Sequence, residues 1–246
     1  RPDEALREYE RALARDPRHP GSLAAKAWAL VRRKRTDEAV RFLQSVVEQQ
    51  PKNAAAVALL GRVYLVAGDR TRAEKTLRDA VSLDESSVPA RLALAGLLVQ
   101  TRRENEATVH LQRILKQHPT QIAAALLLAG LHARGARYDA AIALLEPVAQ
   151  AHPRLEPVTV ALAEVYVRKG RYDDALARLS PLLAAGSGSV PARLLAGQAQ
   201  LGRYRFDDAL QEFQQVARLN PQLAAAYYYL ARAHLGRGDV AAAQQA

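Results

Sequence analysis

The sequence predicts an all-α fold, a solenoid of antiparallel helix pairs that repeats every 34 residues. Three observations predict it. Alanine recurs without a break at Ala5, Ala39, Ala73, Ala107, Ala141, Ala175, Ala209 and Ala243. A second slot at the same spacing holds only small residues: Ala27, Gly61, Ala95, Ala129, Ala163, Gly197 and Ala231. A third is always large and apolar: Tyr9, Leu43, Leu77, Leu111, Leu145, Leu179 and Phe213. Small residues at fixed places in a helical pattern let two helices cross closely. The large residue fills the space beside that crossing, so each repeat supplies its own share of a core that runs on into its neighbours.

The elements follow in order. Residues 1–16 read as the second helix of a repeat, and the Asp3-Glu4 pair near its start suits the positive end of the helix dipole. Repeats then begin near Pro20, Ala54, Val88, Ile122, Glu156, Val190 and Ala224, the last one truncated, which gives fifteen helices with the last partial. Prolines at Pro17, Pro51, Pro119, Pro153 and Pro221 follow apolar-periodic runs, as befits a residue that cannot continue a helix. Within repeats, Gly68-Asp69, Gly135-Ala136, Gly170-Arg171 and Gly238-Asp239 mark the turn between the two helices.

Two junctions depart from this scheme. Glu85 and Ser187 stand where proline is expected, and both junctions continue Ser-Val-Pro-Ala-Arg-Leu, at Ser87 to Leu92 and Ser189 to Leu194. The breaker has moved into the first turn of the next helix, where proline is tolerated and the preceding serine can cap. The run Gly186-Ser187-Gly188-Ser189 is expected to be the most mobile internal turn, because glycine gains the most freedom on release. Pro147 and Pro181 lie inside the second helices of adjacent repeats, where an interior proline costs about 3 kcal/mol unless a bend relieves it. A local bend between about Ala141 and Leu183 is expected.

The residues at these offsets resemble the tetratricopeptide family. In one repeat they are Gly61, Tyr64, Gly68, Ala73 and Ala80; in a later one, Ala163, Tyr166, Gly170, Tyr172 and Ala175. The likeness covers the chain with no insertion or deletion. It implies one array over 1–246, coiled as a right-handed superhelix of bacterial type, whose concave groove is lined by the first helix of each repeat. It also implies a protein or peptide partner lying in that groove, to which the groove residues themselves, named next, add an expected apolar and acidic character.

Three groove slots carry over to this sequence. The first holds Ala24, Ala58, Leu92, Leu126, Val160, Leu194 and Tyr228. Next come Trp28, Arg62, Gly96, Gly130, Glu164, Gln198 and Arg232. The third slot is Arg32, Val66, Gln100, Arg134, Arg168, Gly202 and Gly236. Together they describe an apolar floor with scattered arginines. Gly96 and Gly130 are helix-interior glycines, explained either by the close approach of a partner's backbone or by close packing of neighbouring helices. Trp28 is the only tryptophan, a residue type that often dominates binding energy. Where the family's carboxylate clamp has Lys and Asn, this chain offers Ala24 with Trp28 and Ala58 with Arg62, which argues against a chaperone-tail partner.

Composition bounds the remaining classes. With no cysteine, disulfides, thiolate metal sites and cysteine nucleophiles are excluded, and either redox compartment is open. Six histidines include no pair at the spacing of two ligands on one helix face, and His132 and His234 fall in the Tyr64 slot, between helices. Nothing resembles a nucleophile elbow, a phosphate-cradling loop or a metalloprotease helix, so no enzyme, cofactor or metal site is expected.

The net charge of +10 calls for an account of polyanions. Its only compact run, Arg32-Arg33-Lys34-Arg35, is answered at once by Asp37 and Glu38. The related pentatricopeptide arrays read RNA with polar residues in a repeat one residue longer, and here that slot is apolar. Salt-sensitive arginine binding to a polyanion stays as one alternative. The other is a periplasmic scaffold of polysaccharide export or envelope assembly. The longest apolar stretch, Ile122 to Leu131, is too short to span a bilayer. Arg1 falls in a turn and Ala246 inside a helix, so the chain reads as a piece of a longer array. Its ends, exposed to solvent, would favour self-association.

Overall fold

The computed structural model describes residues 2–184 and 189–245, which form fifteen α-helices and no strand. Gly186, Ser187 and Gly188, the turn expected to be most mobile, lie outside the described residues. The chain divides into two compact bodies, Arg1–His118 and Pro119–Ala246. Each is an α-solenoid of antiparallel helix pairs.

The N-terminal body contains α1 (Pro2–Arg15), α2 (Pro20–Arg32), α3 (Thr36–Gln49), α4 (Ala54–Val66), α5 (Arg70–Leu83), α6 (Val88–Gln100) and α7 (Glu104–Gln117). In the C-terminal body α8 (Ile122–Arg134), α9 (Tyr138–Ala151), α10 (Glu156–Lys169) and α11 (Tyr172–Ala184) come first. They are followed by α12 (Val190–Gly202), α13 (Phe206–Leu219), α14 (Ala224–Arg237) and α15 (Val240–Gln245).

Local chemistry sets the helix starts. The side chain of Asn53 accepts a hydrogen bond from the Ala56 amide at 3.1 Å, and Asp69 accepts from Arg72 at 2.9 Å. Each satisfies an amide with no partner inside the helix. Ser189 caps α12 through Ala192 at 3.4 Å. Ser87, expected to do the same for α6, makes no side-chain cap. There Pro89 in the first turn fixes the backbone instead, and the Ser87 carbonyl accepts from Arg91 at 3.1 Å. Four second helices use a different device: Arg35, Arg103, Arg171 and Arg205 each pair with a carboxylate three residues on, Glu38, Glu106, Asp174 and Asp208.

The turn inside each repeat places one residue in the left-handed region, and that residue recurs every 34 positions. It is Lys34 (φ 60°), Gly68 (82°), Arg102 (63°), Ala136 (55°), Gly170 (79°), Tyr204 (60°) and Gly238 (86°). In the second of the turns marked on sequence, Ala136 takes this conformation and not its neighbour Gly135. Four side chains therefore hold a conformation that costs about 1–2 kcal/mol.

The seam within each repeat is where the core lies. Ala39, Ala73, Ala107, Ala141, Ala175 and Ala209 are fully buried, as are Leu43, Leu77, Leu111, Leu145, Leu179 and Phe213. Burying each of these larger side chains contributes about 1.5–3 kcal/mol. Tyr64 and Tyr166 add a polar lock to the seam. Tyr64 Oη accepts from Gln44 Nε2 at 2.9 Å, and Tyr166 Oη donates to Glu146 at 2.6 Å. Burial and that hydrogen bond push the Tyr166 hydroxyl up to about 12. α9 and α11 stay helical through Pro147 and Pro181, both exposed. No helix among the described residues is long and apolar enough to cross a membrane.

Candidate functional site

First helices of the C-terminal body line three adjoining concavities. One, of about 370 Å³, is bounded by Leu126, Gly130 and Arg134 of α8 and by Ala161, Glu164 and Arg168 of α10. The next, of about 440 Å³, shares Glu164 and Arg168 and adds Val160, Leu194, Leu195, Gln198 and Tyr229. A third, of about 190 Å³, shares Gln198 and Tyr229 and ends at Arg232. Shared walls make one groove across α8, α10, α12 and α14. Nine candidate residues meet there, and Tyr228, 58% exposed, stands beside them.

This groove is apolar along its floor and cationic along its sides. Arg168 pairs with Glu164 at 2.7 Å, so the acid in the middle of the groove is neutralised. The guanidinium of Arg232 lies 5.7 Å from the Tyr228 ring centre and 5.9 Å from that of Tyr229. Tyr229 is held in turn, stacked on Phe213 at 5.2 Å. At Gly130 a Cβ would meet nothing within 4 Å. Gly96 of the N-terminal body is equally open, so neither glycine serves close helix packing.

The N-terminal body carries a smaller cleft of about 160 Å³, walled by Pro20, Ala24, Ala55, Ala58, Leu59 and Pro89, with Arg62 at its edge. Arg62 stacks on Trp28 at 5.0 Å. Leu92 and Gly96 are half-buried and Arg32 exposed, all outside this cleft.

Two positions of the third slot have a packing role that the sequence did not show, although Gly202 also lines the third concavity. Gly202 and Gly236, placed in the groove by their spacing, are packing glycines: a Cβ would come within 2.3 Å of the Tyr172 ring and 2.2 Å of the Phe206 ring. Conversely, a fourth groove slot was missed. Leu59, Ala161, Leu195 and Tyr229 are separated by multiples of 34 residues and each lines a concavity. Their signal was present, since an arc wide enough to face a groove includes the residue next to each first-slot position.

Of the histidines, His132 is half-buried between helices with no partner for Nδ1 among the described residues, and burial pushes its pKa down. His110 lies with Nδ1 3.3 Å from Arg91 and is lowered by burial and by that charge. No group of three or more potential ligands fit for a metal ion occurs among the described residues.

No curated protein sequence matches this chain. Among solved structures, Pseudomonas aeruginosa PilF is 19% identical, with 89% of this chain and 99% of that chain covered at a TM-score of 0.74. PilW, a type IV pilus biogenesis factor, is 18% identical over 86% of this chain and 98% of its own, with a TM-score of 0.72. YrrB, described as having an unusual peptide-binding site, is 15% identical over 76% and 96%, with a TM-score of 0.63. At such identities these likenesses show the fold alone.

Sequence models of families add three matches. The TPR domain of cytochrome c-type biogenesis protein H matches residues 43–159, and one tetratricopeptide repeat model matches 194–246. A second tetratricopeptide repeat model matches 1–63 and 131–201, more than half of the residues, and with it the chain belongs to the tetratricopeptide repeat family.

Proposed function

We propose that this chain is a non-enzymatic scaffold that binds a segment of a partner protein in the groove of its C-terminal body. The observation that carries this reading is the continuity of that groove from Leu126 to Arg232, with Gly130 open at its floor. Apolar side chains of a partner fit against Val160, Leu194 and Leu195, and a partner backbone can approach Gly130 where any other residue would hold it off. The peptide-binding site described for YrrB, a neighbour in fold, is consistent with this use.

A photo-crosslinking amino acid placed at Gly130 or Leu194, in the cell that makes the protein, is expected to join it to a partner. The same group at Gln214, exposed on the second helix α13, is expected to join nothing. Crosslinks from Gln214 and none from the groove would sink the proposal.

A second reading, a scaffold of bacterial envelope assembly, draws on the match over 43–159 to the domain of a cytochrome c-type biogenesis protein. It expects the Gly130 crosslinks to contain envelope-assembly proteins, and exclusively cytoplasmic partners would overturn it.

A further inference from the structure

We propose that the C-terminal groove selects an acidic peptide segment, one carboxylate of which is held by Arg232 on a platform of Tyr228 and Tyr229. The proposal rests on the groove reading above and adds the chemistry of the partner. Arg232 differs from the arginines around it. Arg168 pairs with Glu164, Arg193 with Glu212 at 3.1 Å, Arg203 with Asp173 at 3.1 Å, and Arg237 with Asp207 at 2.8 Å. Arg232 has only aromatic rings beside it and no carboxylate in reach among the described residues.

That arrangement suits an incoming anion. Stacking uses the faces of the guanidinium and leaves its in-plane N–H donors free, the edge that takes a carboxylate bidentately. The rings fix the orientation of the cation before a ligand arrives, so less side-chain entropy is lost on binding. Phe213, fully buried, anchors Tyr229 from below. Charge points the same way: Arg168 and Arg232 line this part of the groove against Glu164 alone, in a chain of net charge +10.

A polyphosphate backbone fits less well than a peptide. The floor of Val160, Leu194 and Leu195 offers it nothing, and Glu164 sits midway along. A peptide that intersperses Asp or Glu with aliphatic residues answers both the floor and the cations.

The test is selection of a random twelve-residue peptide display library on the intact 246-residue chain, with Arg232→Glu and Gly130→Trp chains selected in parallel. Circular dichroism checks that both variants keep their helicity; if Gly130→Trp does not, Gln198→Trp takes its place. Peptides enriched on the unaltered chain are expected to be rich in Asp, Glu and aliphatic residues. Their binding is expected to weaken at least tenfold with Arg232→Glu and to vanish with Gly130→Trp.

Enriched peptides that ignore Arg232→Glu but are lost with Gly130→Trp would overturn the acidic preference while leaving the groove reading intact. Peptides that survive both changes, or no enrichment at all, would overturn both. Salt-sensitive binding of a single-stranded oligonucleotide, lost with Arg232→Glu and unaccompanied by peptide enrichment, would replace the peptide with a nucleic acid.

Discussion

Gly197 and Gly130 both lie inside first helices of the C-terminal body, and they are glycine for opposite reasons. At Gly197 a Cβ would come within 2.5 Å of the Phe213 ring, whereas at Gly130 it would meet nothing within 4 Å. One glycine makes room for this chain's own core; the other faces open space. A helix-interior glycine costs about 1 kcal/mol against alanine, and only at Gly197 does internal packing offset that cost.

The largest expected effect tests the seam. Gly197→Ala should destabilise the protein by about 1–3 kcal/mol, because Phe213 is pinned by its stack on Tyr229 and cannot move aside. Gly61→Ala should cost less, since the obstacle there is the aliphatic side chain of Leu77, at 2.7 Å, and not a stacked ring. Ala95 with Leu111, Ala129 with Leu145 and Ala163 with Leu179 already form this pairing, all buried. Adding Phe213→Leu to Gly197→Ala should therefore recover part of the loss in a double-mutant cycle followed by urea unfolding. Strict additivity would mean that Gly197 is not matched to Phe213.

Gly130→Ala sharpens the other half of the comparison. It should raise stability by about 1 kcal/mol in the same assay, since helix propensity improves and no contact is lost. A loss of stability would show that the site is packed after all.

How far these two regions were legible in the sequence follows from what kind of constraint each obeys. The seam depends on a residue's own volume, so the alanine and leucine slots could be read directly, and they are buried as spaced. The packing role of Gly202 and Gly236 was hidden because their reason for being glycine lies in Tyr172 and Phe206, at the start of the preceding helix. A spacing rule sees the slot but not the ring lying across it. The groove slots were carried over from a family, and Tyr229 escaped because it does two things at once, stacking on the core and walling the groove. The left-handed turn slot was hidden for another reason. Lys34, Arg102, Ala136 and Tyr204 give no sign in type of what their backbone does.

That turn slot yields a smaller prediction. Ala136→Gly should stabilise the protein by about 0.5–1 kcal/mol, the relief of the left-handed strain less the added freedom of the unfolded chain. Gly170→Ala should do the reverse. Thermal melts of the two variants decide it, and a destabilised Ala136→Gly would show that the turn holds no strain to relieve.

The smallest effect concerns one of the two seam positions, 132 and 234, where histidine stands in the tyrosine slot. His132 occupies the slot of Tyr64 and Tyr166, but its Nδ1 has no partner of the kind that Gln44 and Glu146 give those hydroxyls. Burial, aided by the charge of Arg137, lowers its pKa in the folded state below the ordinary 6.5. As pH falls through about 6.5 the unfolded chain takes up a proton before the folded one does, so the unfolded state binds more protons and stability falls. The contribution of neutral His132 is thus fully present above that pH and is lost on acidification toward the lowered folded value. In His132→Tyr this slope should become shallower between pH 7 and 5 while the melt stays cooperative. An unchanged slope would assign it to another group, of which His110, also lowered by burial, is the first to substitute.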